Sequence, residues 1–160
     1  MDLISHSGAG AGACECALPG ASSFVSHTWS RAVETAAMPM RAETPLKQLT
    51  LALPFTITVP CAVRVCAPLT VTMRNDDDEY PATLSLAIKV INVLPPARVV
   101  SSAVPTELHL DNDETDAATL VETLTLDAGT YTAHVACAAT IACTVAAYGN
   151  INVAAAACRI

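Results

Sequence analysis

The chain has 160 residues, enough for one domain with a sizeable core, yet 52% are hydrophobic and only 14% charged, against roughly 25% charged in an average globular chain. The net charge of −7 is unevenly placed: residues 1–75 hold five Lys/Arg and four Asp/Glu (+1), whereas residues 76–160 hold three and eleven (−8). With no cluster of Lys or Arg and no run of 18 apolar residues, the composition argues against a nucleic-acid partner and a transmembrane helix, and points to surface buried in other subunits.

Residues 1–45 read as an arm. They are rich in Gly, Ala and Ser and only weakly periodic, and they run through Met38-Pro39-Met40 to Thr44-Pro45. The arm is expected to be extended, or helical for a turn or two around Ser30–Ala37 with Ser30 as the cap, and to order against a neighbour. Deleting it should leave the rest folded. The first residues lack a basic region and carry Asp2 and Glu15, so no signal peptide is expected.

From Leu46 onward the period is two. Leu49, Leu51, Leu53, Phe55, Ile57 and Val59 share one parity, and Pro54 on the other marks an edge strand or a bulge. Val63 to Met73 repeats the pattern, and so does Leu84 to Val90. Short strands follow near Val99-Val100 and Thr106–Leu110. Glu122–Val145 reads as a β-hairpin running into a third strand, with Asp127-Ala128-Gly129 as the turn and glycine where a positive φ is wanted. A last strand is expected near Asn150–Ala156. With no βαβ alternation, the expected fold is all-β: an antiparallel β-sandwich of jelly-roll or Greek-key type over residues 46–160, with an irregular N-terminal arm.

Candidate chemical sites are sparse. Of the seven cysteines, Cys61-x4-Cys66 and Cys137-x5-Cys143 could offer thiolates to zinc, but neither has the tight spacing of zinc knuckles. Strand parity makes Cys61, Cys137 and Cys143 small core residues and turns Cys66 to the other face. Reduced thiols are expected for a protein made in the cytosol, with disulfides as the alternative and Cys14-x-Cys16 as a pair able to cross-link subunits. The acidic loops Asp76–Glu79 and Asp111–Asp116 could gather around calcium. The second lacks the glycine and final Glu of an EF-hand, so both read as solvated loops. Gly8–Ala13 mimics a dinucleotide fingerprint without the flanking strand and helix.

His6, His27, His109 and His134 are scattered, with only His109 and Asp111 close in sequence, and read as surface histidines. No nucleophile motif accompanies them. No enzymatic activity is expected, and no catalytic, cofactor-binding or metal residues are assigned.

The string Leu126-Asp127-Ala128-Gly129-Thr130-Tyr131-Thr132 resembles the "L-x-A-G-T-Y" turn near the C-terminal strands of viral and phage structural domains of single jelly-roll or tumour-necrosis-factor-like type. The resemblance implies a virion structural protein (a penton, minor capsid or cement subunit). It would be made in the host cytoplasm and assemble as a symmetric homo-oligomer with other capsid proteins. It implies no catalytic residues. The rival is a receptor- or carbohydrate-binding β-sandwich of a fibre or adhesin. Its usual aromatic platform would have to come from Trp29, Tyr80 or Tyr148.

Overall fold

A computed structural model of the chain describes residues 5–6, 26–42, 46–75, 81–101 and 104–157, and every regular element among them is a strand. In chain order these are β1 (Ser5–His6), β2 (Ser26–Met40), β3 (Lys47–Gln48), β4 (Leu53–Ile57), β5 (Cys61–Arg74), β6 (Ala82–Asn92), β7 (Arg98–Val99), β8 (Thr106–Leu110), β9 (Thr115–Leu126), β10 (Gly129–Ala139) and β11 (Cys143–Ala157). One sheet runs β1-β2-β11-β5-β9. The other centres on β10 and β6, with β3 and β4 along the outer edge of β10 and β7 and β8 along that of β6. All strand pairs are antiparallel. From β5 onward the long strands β5, β6, β9, β10 and β11 alternate between the sheets, the two-layer wiring of a jelly roll.

The core follows the parity. Val63, Val65, Val71 and Met73 of β5, Leu84, Leu86 and Val90 of β6, and Val135 and Cys137 of β10 are fully buried between the sheets. Small aliphatic side chains on both inner faces let the layers approach closely.

Three sequence expectations give way. The helical turn around Ser30–Ala37 is instead part of the 15-residue strand β2, which pairs with β11 from Ser26↔Ala156 to Met40↔Cys143. Its periodicity is hidden because the register shifts between Val145 and Ala147, where residues 36–37 stand opposite Ala146. That bulge moves the buried parity from Trp29 and Val33 to Met40. The hairpin at Asp127–Gly129 is not a hairpin: β9 pairs with β5 in one sheet, and β10 pairs with β6, β3 and β4 in the other. The short link crosses between layers, and positive φ occurs at Asp113 and Gly149, not at Gly129, among the described residues. Finally, the third and last strands are one, since β11 runs unbroken through Gly149.

Pro54 lies in β4, which among the described residues pairs with β10 alone, an edge position that tolerates a residue with no N–H. Between β3 and β4 the pairing to β10 slips from Ala136↔Gln48 to Ala133↔Leu53. The chain bulges there and leaves Leu51 exposed, against the expected alternation. Hydroxyls satisfy the backbone at such breaks. The buried Thr50 Oγ1 accepts from Val135 N at 3.0 Å, and Ser101 Oγ accepts from Val90 N at 2.9 Å between β7 and β8.

Candidate functional site

The two ends of the sandwich differ in chemistry. Register places the links after β4, β6 and β9 at one end, because Gly129 pairs with Ile57, Tyr131 with Asn92, and Cys61 with Leu126. The links after β5, β8 and β10 lie at the other, where Thr144 pairs with Arg74 and Ala82 with Leu110.

The first end is apolar. Val59, Val93, Leu94 and Val99 are exposed there, beside Pro95 and Pro96. Val59 from the link after β4, Val93 and Leu94 from the link after β6 and Val99 from β7 face water at one end, and exposed apolar side chains grouped in this way mark an interaction surface. The charged groups beside them are Arg98, in β7, and Asp127, in the link to β10; both are exposed. Both act electrostatically on Tyr131, which places them near the same ring, yet they form no ion pair with each other.

The "L-x-A-G-T-Y" string builds the corner beneath that patch. Tyr131 is buried and donates its hydroxyl to the Asp127 carbonyl at 2.8 Å. A Cβ on Gly129 would stand 3.3 Å from the Tyr131 ring, so glycine makes room for it. The ring stacks on Phe55 at 5.6 Å, and Phe55 meets Trp29 at 5.7 Å. The three aromatics therefore tie β10 and β4 of one sheet to β2 of the other. Burial, with Asp127 next, holds the Tyr131 phenol above its usual value. Trp29 is thus a core residue, not an arm residue.

The opposite end is acidic and its groups are occupied locally. Asp111 N donates to Glu114 Oε1 at 3.2 Å, and Asn75 N to Asn112 Oδ1 at 2.7 Å. Asp113, at φ 62°, sits 3.8 Å from Arg74 Nε in an exposed ion pair. Among the described residues no group of three His, Cys, Asp or Glu side chains is placed to hold a metal ion. The Asp76–Glu79 loop, Gly8–Ala13, Cys14, Cys16, Cys158 and Tyr80 lie outside the described residues.

His6 and His27 stand opposite each other in the β1–β2 register, while His109 and His134 lie in the other sheet. His109 Nδ1 lies 2.8 Å from Thr83 Oγ1 across the β6–β8 ladder, so its partner is a threonine and not Asp111. His27 is exposed against Trp29. His134 departs from the expected surface position: it is 7% exposed and stands opposite Lys89 on the outer face of β10. Burial, and then the Lys89 charge, hold its pKa below the ordinary 6.5. The folded state therefore resists protonation that the unfolded chain accepts. Stability is fullest above pH 6.5 and falls as pH drops from 6.5 towards the lowered folded value. Thermal melts at pH 7.5 and 5.5 should show a smaller acid loss for His134→Gln than for the wild type; equal losses would contradict this.

Cys61, Cys137 and Cys143 are buried thiols, as strand parity expects. Burial, with Cys143 adding to it, pushes the Cys137 thiol up to about 12, so it stays protonated and inert. Cys66, also buried but on the opposite parity, is disulfide-bonded, which departs from the expected set of reduced thiols. Sequence reasoning also missed Glu122, which shares the inward parity of Leu120 and Leu124 on β9 and is buried. The strand alternation itself was its signal.

No protein-family model and no curated protein matches the sequence. Among solved structures, a chain of the T13 IBDV viral particle aligns over 88% of this chain and 35% of its own, at TM-score 0.51 and 11% identity. The Eiger TNF from S. frugiperda aligns over 82% and 94%, at TM-score 0.48 and 10% identity. The VP2 subviral particle of infectious bursal disease virus aligns over 88% and 37%, at TM-score 0.43 and 9% identity. The chain spans about a third of the T13 particle chain it matches. At such identities the likeness is one of fold: this chain is an antiparallel β-sandwich with jelly-roll wiring, similar to a virus-particle chain.

Proposed function

We propose that the chain is a virion structural protein, a penton, minor capsid or cement subunit, that works by oligomeric assembly and not by catalysis. The observation that carries this is the coat-like sandwich, which aligns with the virus-particle chain over 88% of its length. The exposed apolar end supports it, because covering those Val and Leu side chains with a neighbour removes apolar surface from water and so favours association. Closed symmetry would bring the same patch around an axis in every copy. The partners on this reading are further copies of the chain and other capsid proteins, and its place is the virion.

The receptor- or carbohydrate-binding alternative needs aromatic rings on the surface. Trp29, Phe55 and Tyr131 are spent on the core, which leaves Tyr148, 56% exposed, as the one exposed aromatic ring among the described residues. Native mass spectrometry and a glycan array on the purified protein separate the two. A discrete trimer or pentamer with no glycan bound is expected. A monomer at high concentration that binds one sugar would overturn the assembly reading.

A further inference from the structure

The exposed apolar end has a charge pattern that says what covers it. Val59, Val93, Leu94 and Val99 supply the apolar area, and Arg98 and Asp127 stand beside it as one cation and one anion, both exposed and with no ion pair between them. The excess negative charge lies elsewhere. Asp111, Asp113 and Glu114 occupy the opposite end, beside the Ala82↔Leu110 pair. A second copy of a chain with net charge −7 must approach with its acidic ends apart. The apolar end, locally balanced in charge, is the face that permits this.

We propose that the face built from the links after β4, β6 and β9 is the contact between copies of this chain. Leu94, Val93, Val59 and Val99 pack against the neighbour, and Arg98 of one copy pairs with Asp127 of the next. Repeated around an axis, each copy gives its cation to one neighbour and its anion to another, a head-to-tail contact that closes into a ring. A contact of this kind, apolar at its centre and charged at its rim, takes its affinity from the apolar part and its register from the charges. This deepens the assembly reading by naming the surface and the partner, and it rests on that reading.

The test is charge reversal followed by mass measurement. Arg98→Asp and Asp127→Arg, each alone, place like charges across the contact and should each give monomer, with a far-UV spectrum unchanged from the wild-type oligomer. The double variant Arg98→Asp/Asp127→Arg restores opposite charges at every junction, whatever the number of copies, and should restore the wild-type mass. Leu94→Asp should give monomer that adding the charge swap does not rescue. If the wild type assembles and all three variants assemble equally well, the contact lies elsewhere and only the surface assignment fails. If the single reversals give monomer but the double variant does not recover, the Arg98–Asp127 pairing is wrong. A wild type that stays monomeric at every concentration overturns the assembly reading and this inference together.

Discussion

Replacing Gly149 with alanine should lower stability by about 3 kcal/mol, the combined scale of a strained backbone and an overpacked contact, and so lower the melting temperature by on the order of 10 °C. Gly149 sits in the middle of β11 at φ +149°, a conformation that side chains rarely adopt. A Cβ there would lie 2.1 Å from the Pro68 carbonyl oxygen and 3.1 Å from Leu69 Cα, both backbone atoms of β5. Neither can swing aside as a side chain would. The local cause is Pro68, which has no N–H and stands inside a strand flanked by β11 and β9. The β11–β5 pairing passes from Gly149↔Leu69 to Asn152↔Cys66, and Gly149 lets β11 draw close where the proline interrupts it. Since natural domains hold only about 5–15 kcal/mol in total, the loss should be plain in a thermal or urea melt. An alanine variant that melts with the wild type would show that this close approach is not needed.

Replacing Trp29 with alanine should cost about 3–5 kcal/mol, the usual range for removing a buried large aromatic. Trp29 is 7% exposed and stands at one end of the Trp29–Phe55–Tyr131 row that bridges the sheets. Its strand is also pinned across the gap between layers: Arg31 Nη1 donates to the Ala52 carbonyl at 3.0 Å and Thr35 Oγ1 to the Leu49 carbonyl at 2.8 Å. The same reasoning changes the expected outcome of deleting residues 1–45. A free arm could be removed with the sandwich left intact. Here the deletion takes Trp29, Val33 and Met40 from the core and strips β11 of a partner along most of its length. The truncated chain should be largely unfolded by circular dichroism; a cooperative melt near the wild-type temperature would contradict this weight on β2.

Where the fold was legible in the sequence, the alternation was unbroken. β5, β6 and β8 keep one parity from end to end, so Val63 to Met73, Leu84 to Val90 and Thr106–Leu110 could be read as strands directly. β2 was not legible because a bulge reverses its parity midway, and weak periodicity in an Ala- and Ser-rich segment looks the same as no strand at all. The link at Asp127–Gly129 misled for a different reason. A two- or three-residue turn with glycine serves a hairpin or a layer crossing equally well, and only long-range pairing of β9 with β5 and of β10 with β6 decides which. The apolar end was invisible for the same reason. It brings Val59 together with Val93, Leu94 and Val99, more than thirty residues further along the chain, and each, taken alone, looks like an ordinary strand or loop residue. His134 read as exposed because parity placed it on an outer face, and parity alone does not tell how deeply an outer face is covered.

The claim on which the rest depends is that this sandwich is a building block that assembles through its own surface. Single-particle electron microscopy of the purified full-length protein tests it most directly. Class averages with closed rotational symmetry, the apolar ends meeting at the contacts and the acidic ends apart, are the result expected here. A field of isolated single sandwiches at concentrations where a capsid component would assemble would contradict it.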